Sequence, residues 1–187
     1  MKNDARVKYT KMVLKDSLLA LMREKPAGKI TVKELCGRAG VNRATFYTHY
    51  QDVNDLLTQI EGELVDDIAG SLGHLAGNRP EDITELLRRI LAAVSRNSEL
   101  CRELLNEREY NEFLRRLITL GRDTGLKSWR SLAPGADGEQ LENLYVFLAS
   151  GCIAVIERWV RGGMRENADD LAVSLSRVAA GVVSVSL

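Results

Sequence analysis

Arg43, Ala44 and Thr45 stand together at the start of a predicted helix, and each has a side chain that can contact the edge of a DNA base. An arginine guanidinium can donate two hydrogen bonds to the O6 and N7 atoms of one guanine. A threonine hydroxyl can bond several bases, and an alanine methyl group can touch the methyl group of thymine. These three residues are therefore the candidates for reading a DNA sequence.

Phosphate contacts are predicted on both sides of this trio. Tyr47, Thr48 and His49 carry hydroxyl and imidazole groups that can bond the oxygens of the DNA backbone, which is the commoner kind of protein–DNA hydrogen bond. Thr31 and Lys33 stand at the start of the preceding helix. They offer a hydroxyl, an ammonium group and free backbone donors to a phosphate.

Two short helices joined by a tight turn must position these side chains. Thr31 and Glu34 have the spacing of a capping box, in which the two side chains bond free backbone N–H groups at a helix start. Gly40 follows where a helix end favours a left-handed residue, and Asn42 can cap the second helix, so it belongs to the candidate DNA-binding set. Phe46 is expected to face the core. The second helix of such a helix-turn-helix unit enters the major groove.

The charge of the chain is divided unevenly. The whole sequence is neutral, with 26 basic and 26 acidic residues. The first 50 residues contain eleven basic and four acidic residues, whereas the remainder contains 15 basic and 22 acidic residues. A basic head on an acidic body is typical of a DNA-binding module joined to a domain that does not bind DNA.

Helical periodicity extends through the rest of the sequence, and strand patterns are nearly absent. The fold class is therefore predicted to be all-α, with about nine helices. The first helix is expected to carry its apolar residues mainly on one side: Tyr9, Met12, Val13, Leu18, Leu19, Leu21 and Met22. Two domains are predicted: residues 1–51 form the helix-turn-helix domain, and residues 52–187 form a helical effector-binding and dimerisation domain. The later helices are predicted at about 52–75, 81–95, 98–107, 110–132, 137–160 and 168–185.

Composition limits the other possibilities. Cys36, Cys101 and Cys152 are odd in number and widely spaced, which favours reduced thiols in a cytoplasmic protein over disulfides or a metal site. No apolar run is expected to be long enough to span a bilayer, and the N-terminus lacks the apolar core of a signal peptide. A soluble, cytoplasmic protein with no membrane partner, no metal and no cofactor is predicted.

An enzyme is not expected. Catalysis would need an activated nucleophile, a metal cluster or a loop that cradles phosphate. The sequence has two histidines and contains no CxxC, no HExxH, no P-loop and no GxGxxG after a strand.

These motifs together resemble the TetR family of transcriptional regulators. The residues that carry the resemblance are ITVKEL at 30–35, AGVNR at 39–43 and TFYTHY at 45–50, with Leu56 and Leu57 in the long helix that follows. The specific match covers about residues 8–60. It implies a regulator, most often a repressor, that binds a palindromic operator in double-stranded DNA as a homodimer. A small molecule or a protein partner would control it through the C-terminal domain. Residues 148–163 are also similar to a sub-branch that includes dihydroxyacetone-kinase-type regulators.

One position departs from the family pattern. The family often has a lysine at the start of the helix after the recognition helix, where it meets a phosphate, and this chain has Val53 there. The neighbouring Asp52 would repel a DNA backbone that came close. Lys2, Arg6 and Lys8, in an N-terminal arm, are expected to compensate by reaching DNA.

Dimerisation is predicted through the last two helices, because each carries a long apolar stripe. The candidate residues are Leu144, Leu148, Cys152, Val155 and Trp159 in the first of these helices and Leu171, Leu175, Val178 and Val182 in the second. Paired across a two-fold axis, the two helices would form a four-helix bundle. The alternative is that both stripes pack inside one subunit.

The family resemblance also implies an effector site among the middle helices. Its candidate residues are Cys101, Tyr110, Phe113, Trp129 and Phe147, each of which could equally be an ordinary core or surface residue. Two alternatives to a DNA-binding repressor remain open: an activator, and a helical interaction module whose DNA binding is weakened, for which Val53 is the hint.

Overall fold

The structure, a computed structural model, describes residues 2–72, 80–105, 110–132 and 135–186. These residues form ten α-helices, a short 3-10 helix at Ala27–Lys29 and no strand. The α-helices are α1 (Lys2–Met22), α2 (Val32–Ala39), α3 (Arg43–Tyr47), α4 (Val53–Leu72), α5 (Pro80–Arg96), α6 (Ser98–Leu104), α7 (Tyr110–Leu120), α8 (Arg122–Leu132), α9 (Gly138–Arg161) and α10 (Ala168–Ser186). The predicted all-α fold class is confirmed.

The single helix predicted over 110–132 is two helices, α7 and α8, which meet at Gly121. Glycine is a poor helix former, and here it coincides with a competing hydrogen bond. The hydroxyl of Tyr145 donates to the carbonyl of Ile118 at 2.6 Å. In an unbroken helix that carbonyl is the acceptor for the N–H group of residue 122. The break gives one helix more than the sequence indicated.

The chain divides into two compact units. The first comprises Met1–Glu63 with Glu103–Arg108, and the second comprises Leu64–Arg102 with Glu109–Leu187. The helix-turn-helix segment therefore lies wholly within the first unit.

The core of the first unit is formed by side chains from α1 to α4. Leu14 and Leu18 of α1, Leu35 of α2 and Phe46 of α3 have no exposed surface, and Leu56 of α4 is 1% exposed. Helix α1 packs on α2 through this core. Burial of such side chains contributes roughly 1.5–3 kcal/mol each, so this small core fixes the two helices that carry the candidate site.

The apolar side predicted for α1 is buried only in part. Tyr9 is 62% exposed and Met12 is 50% exposed, whereas Leu18, Leu19, Leu21 and Met22 are buried. Apolar residues near the start of α1 occur on more than one side, and periodicity alone did not separate them.

In the second unit, α9 packs on α7 and α8, and α10 packs on α5. Leu126, Leu141 and Tyr145 form a buried cluster against which Trp129 also packs. The hydroxyl of Thr84 on α5 donates to the hydroxyl of Ser176 on α10 at 2.8 Å, and Ser176 is buried. This hydrogen bond satisfies a polar group in an otherwise apolar contact.

A tight turn connects α9 to α10. Gly163 and Met164 have positive φ angles of 79° and 55°. The indole Nε1 of Trp159 donates to the carbonyl of Glu166 at 2.9 Å, which ties the end of α9 to the connecting segment. The two left-handed residues end α9 and turn the chain into α10.

Helix α9 has the predicted length, but it is more apolar than expected. By length and composition alone it could cross a membrane. The expectation that no apolar run has this length was therefore wrong. Its side chains are also tied to other segments: Glu142 pairs with Arg122, and Tyr145 and Trp159 donate hydrogen bonds to backbone carbonyls.

Candidate nucleic-acid interface

The start of α2 is held by a complete capping box, as predicted. The hydroxyl of Thr31 accepts from the backbone N–H of Glu34 at 3.2 Å, and the carboxylate of Glu34 accepts from the backbone N–H of Thr31 at 3.1 Å. Two backbone donors that the helix itself leaves free are satisfied in this way.

The turn between α2 and α3 also has the predicted form. Gly40 adopts a left-handed conformation with φ 65° and ψ 25°. The side-chain oxygen of Asn42 then accepts from the N–H of Ala44 at 2.8 Å and caps α3. Helix α3 can therefore begin at Arg43, with only two residues between it and the glycine.

Phe46 anchors α3 to the core of the first unit. It is fully buried, and its ring lies 5.5 Å from the rings of both Tyr47 and Tyr50. Tyr50 is also buried, whereas Tyr47 is 58% exposed. The inward position of Phe46 turns the residues on the opposite side of this short helix toward solvent.

None of the nine predicted DNA-contacting residues is buried. Seven are exposed, and Thr45 and His49 are half-buried. The nine are Thr31, Lys33, Asn42, Arg43, Ala44, Thr45, Tyr47, Thr48 and His49, and all lie in or beside α2 and α3.

Two of the predicted phosphate-binding hydroxyls are engaged inside the protein. The hydroxyl of Thr31 donates to the Glu34 carboxylate at 3.0 Å, while it accepts from the Glu34 N–H. The hydroxyl of Thr48 donates to the carbonyl of Thr45 at 2.6 Å. Because a hydroxyl has one proton to donate, neither can donate to a phosphate without breaking its present bond. The expectation that Thr31 offers a free hydroxyl is corrected accordingly.

The basic residues of the first unit fall into two groups. The ammonium of Lys25 pairs with Glu34 at 2.5 Å, and the guanidinium of Arg38 pairs with Glu24 at 2.8 Å. By contrast, within the described part of the chain neither Lys33 nor Arg43 has a hydrogen bond or an ion pair. Their charges are therefore available to a ligand.

The ion pair between Lys25 and Glu34 was missed by the sequence analysis. Nine residues and a turn separate the partners, so helical spacing gave no signal. Lys25, with hydrogen bonds from the amide and the hydroxyl of Thr31, lowers the pKa of Glu34 from 4.5 to about 2. The carboxylate that caps α2 is thus ionised at any pH near neutrality.

Arg43 lies close enough to α2 to influence a buried thiol there. Burial raises the pKa of Cys36, and the positive charge of Arg43 acts in the opposite direction. The side chain of Arg43 nevertheless remains exposed. The guanidinium is thus close to the junction of α2 and α3 but has no hydrogen bond or ion pair with described residues of either helix.

The segment after α3 begins α4 with acidic side chains. Val53 is 6% exposed and packs inward, so it is not a surface substitute for a lysine. Asp52 accepts from the N–H of Asp55 at 2.8 Å, and Asp55 accepts from the N–H of Gln51 at 2.8 Å. The two carboxylates cap α4 directly after the candidate DNA-contacting residues.

The basic residues near the N-terminus do not form an extended arm. Lys2, Arg6 and Lys8 all belong to α1, which begins at Lys2. Arg6 and Lys8 are exposed on this helix. Any contact that they make with DNA would come from a helix and not from the predicted arm.

The candidate effector residues have different environments. Phe113 is buried, Trp129 is half-buried beside the ring of Tyr145, and Phe147 is 66% exposed on α9. The thiol of Cys101 faces the carbonyl of Val94 at 3.9 Å, and burial raises its pKa to about 11, so at neutral pH it is not an anionic anchor. The side chain of Tyr110 lies outside the described residues. In the parts of the chain that are described, no cluster of histidine, cysteine and acidic side chains could hold a metal ion.

Several candidate dimerisation residues are already packed within the subunit. Leu144, Trp159, Leu171 and Leu175 are at most 7% exposed. Leu148, Cys152, Val155 and Val182 are half-buried, and Val178 is 61% exposed. The first four therefore cannot form the centre of a contact between subunits. Apolar residues occur around most of α9, and the predicted dimerisation residues of this helix lie largely on the side that packs within the subunit.

A comparison with known families identifies the class of protein. Residues 81–181, more than half of the chain, match the family TetR_C_8, described as a transcriptional regulator C-terminal region. The chain belongs to the TetR family of transcriptional regulators. The predicted family is confirmed, and its members are regulators, which are not a class of enzyme.

Solved structures share the fold over nearly the whole chain. A TetR transcriptional regulator from Streptococcus agalactiae 2603V is 24% identical, with a TM-score of 0.67 over 96% of this chain and 98% of that chain. The dihydroxyacetone kinase operon activator DhaS is 15% identical, with a TM-score of 0.67 over 94% and 97%. FadR from Bacillus subtilis, in complex with stearoyl-CoA, is 16% identical, with a TM-score of 0.66 over 90% and 96%. At these identities the likeness concerns the fold. None of the curated proteins compared with the chain matches it.

Proposed function

We propose that this TetR-family regulator is a repressor that binds a palindromic operator as a homodimer. Residues 1–51 act as the DNA-binding part, and residues 52–187 act as the regulatory and dimerising part. Arg43, Ala44 and Thr45 contact base edges, while Lys33, Tyr47 and His49 contact phosphates.

One observation carries the proposal. Arg43 and Lys33 are exposed cations without a hydrogen bond or an ion pair in the described structure, whereas their neighbours Lys25 and Arg38 are paired. An uncompensated surface charge has no structural partner to stabilise it, and it suits a polyanion. Arg43 also stands at the first position of α3, from which base edges are most easily reached, and Phe46 anchors this helix in the core.

The remaining candidates contribute in narrower ways. The side-chain oxygen of Asn42 is used by its cap, but its amide group can still donate to DNA. Thr31 acts by holding the start of α2 and by its backbone, since its hydroxyl is engaged. Thr48 would have to exchange its bond with the Thr45 carbonyl for a phosphate.

Dimerisation is supported by the sides of α9 and α10 that the subunit leaves uncovered. On α9 these exposed residues are Asn143, Phe147, Gly151, Ala154 and Arg158, which recur at helical spacing. On α10 they are Ser174, Val178, Gly181 and Val185. Small residues beside exposed apolar ones allow two helices to approach closely, and a second copy would cover both surfaces. This revised set replaces the buried Leu144, Trp159, Leu171 and Leu175 as the proposed interface.

Control by an effector rests on the family and on two of the relatives. FadR was solved with stearoyl-CoA bound, so a small molecule can occupy this fold. DhaS is named as an activator, and activation is therefore the second candidate for the sign of regulation. The effector of this chain would bind in the helical C-terminal part, where Phe113 and Trp129 supply apolar surface.

A selection of bound duplexes from random DNA tests the proposal. We expect enrichment of one inverted repeat, because a two-fold dimer presents two recognition helices about one DNA turn apart or slightly more. Enrichment of an unpaired half-site would contradict the dimer. Recovery of no enriched sequence would contradict specific DNA binding and favour the interaction module.

A further inference from the structure

The N-terminus of α4 carries two carboxylates that are fixed in place beside the candidate interface. One oxygen of Asp52 accepts from the N–H of Asp55 at 2.8 Å. One oxygen of Asp55 accepts from the N–H of Gln51 at 2.8 Å, and the other accepts from the amide of Gln59 at 3.1 Å. Both side chains are tied to the helix and cannot swing away freely from an approaching ligand.

These charges are near the residues proposed to contact phosphate. Asp52 is three positions after His49 in the sequence, so the Cα atoms of the two residues are at most about 11 Å apart. The screening length at about 0.1 M salt is about 10 Å; Asp52 is exposed to solvent and Asp55 is half-buried. A phosphate bound at His49 would therefore still experience the field of Asp52.

The field of Asp55 is felt at the end of the recognition segment. Burial raises the pKa of Tyr50, and the negative charges of Glu63 and Asp55 raise it further. The pKa of Asp55 is itself lowered by hydrogen bonds from Gln51 and Gln59, so the carboxylate is ionised at neutral pH. An ionised carboxylate therefore contributes negative charge at the point where the contact residues give way to α4.

We propose that Asp52 and Asp55 limit the affinity of this protein for DNA by repelling the phosphate backbone at the start of α4. The inference rests on the proposed DNA binding. It assigns these two residues a role beyond capping, since asparagine caps a helix about as well as aspartate does. Aspartate at this position therefore costs DNA affinity without being required for the cap. The cost applies to any DNA sequence, because phosphates carry no sequence information.

Asp52→Asn removes the negative charge but keeps a side-chain oxygen that can cap α4. A unit charge about 10 Å from a phosphate changes a binding equilibrium by about twofold in water, and a dimer carries the change twice. Screening in about 0.05 M salt reduces each factor, so we expect about twofold tighter binding of a labelled mixed-sequence duplex, measured by fluorescence anisotropy. The gain should shrink as salt is raised to about 0.3 M, because the field is screened. Asp55→Asn should act in the same direction, and the double variant should gain more than either.

A matched control separates a local effect from a change of net charge. Asp137→Asn alters the charge by the same amount in the second unit, at a helix start where the side chain makes no capping hydrogen bond. We expect no gain from it. Equal melting temperatures of the wild type and Asp52→Asn, measured by circular dichroism, would establish that the substitution leaves the cap intact. If these melting temperatures differ, Asp55→Asn replaces Asp52→Asn as the test variant.

The outcomes distinguish this inference from the function on which it rests. If the wild-type chain binds DNA and neither Asp52→Asn nor Asp55→Asn binds tighter at low salt, the inference is wrong and the proposed function stands. A gain equal to that of Asp137→Asn would also overturn it. If the wild type and all variants fail to bind any duplex, both the inference and the proposed function are wrong.

Discussion

At the scale of single residues, the hydrogen-bond partners of a side chain decide what it can offer to DNA. Thr31 and Lys33 stand at the same helix start, yet the hydroxyl of Thr31 is bonded to Glu34, and the ammonium of Lys33 has no partner among the described residues. From residue type alone, Thr31 and Lys33 were both expected to bind phosphate. Only the positions of neighbouring side chains distinguish the two residues, and those positions depend on a turn that brings Lys25 to Glu34.

Glu34 should make the first unit sensitive to acid. Its pKa is lowered in the folded protein from 4.5 to about 2, chiefly by the hydrogen bond from Lys25 and then by those from Thr31. A carboxyl with a depressed pKa contributes stability that is present above its unfolded pKa and is lost as pH falls through its folded value. We therefore expect Glu34→Gln to lower the melting temperature at neutral pH and to weaken its fall between pH 4.5 and about 2.

Glu139→Gln is the control for this titration. Glu139 is an exposed glutamate of α9 with no described hydrogen bond. Its replacement should leave the pH dependence of melting, followed by circular dichroism, unchanged. A Glu34→Gln profile that coincides with the wild-type profile would show that the capping network does not contribute to stability.

At the scale of elements, the helix-turn-helix was predictable because its chemistry is local. The spacing of Thr31 and Glu34, the glycine at position 40 and the cap at Asn42 each act within four residues, and all three have the predicted geometry. The break between α7 and α8 was not predictable in the same way. It coincides with a hydrogen bond from the hydroxyl of Tyr145, which lies 27 residues from the Ile118 carbonyl that it bonds.

The turn should depend on Gly40 through its backbone alone. Gly40 has φ 65°, and no heavy atom lies within 4 Å of a Cβ added there. We expect Gly40→Ala to cost about 1–2 kcal/mol of unfolding free energy, because an alanine is strained in the left-handed region. Denaturant unfolding measures this cost.

Gly37→Ala is a matched control three residues earlier. Gly37 lies inside α2, and an added Cβ meets nothing within 4 Å there either. Since alanine favours a helix interior, this variant should gain up to about 1 kcal/mol. Two variants with changes of the same sign would contradict the backbone explanation.

At the scale of the whole molecule, periodicity identified α9 and α10 as apolar helices but not which side is covered. Leu144 and Trp159 are buried in the subunit, whereas Phe147 and Val178 are exposed. A helix with apolar residues on most of its circumference has no unique inward side until its neighbours are known. The family and the fold class followed from the sequence, and the proposed interface required the structure.

Phe147 should be central to the assembly. Replacing it by glutamate places a charge in the proposed contact between two copies, where desolvation is costly. We expect Phe147→Glu to be a monomer at concentrations at which the wild type is a dimer, as measured by light scattering.

Tyr9→Glu is the control for the dimer. Tyr9 is an exposed aromatic residue of α1, 62% exposed against 66% for Phe147. The same substitution there should leave the dimer intact. If both variants are dimers, the contact between subunits lies elsewhere. If the wild type is a monomer, the proposed dimer is wrong.

Titration of the selected duplex with Arg43→Ala and Arg38→Ala tests the central claim most directly. Both variants lose one positive charge from the same motif, but Arg38 is paired with Glu24 and Arg43 has no described partner. Loss of a bidentate contact to guanine costs about 1–3 kcal/mol, which is about 5- to 150-fold in affinity for each half-site. The account predicts this loss for Arg43→Ala and a much smaller one for Arg38→Ala. Equal losses from the two variants, or unchanged binding by Arg43→Ala, would contradict it.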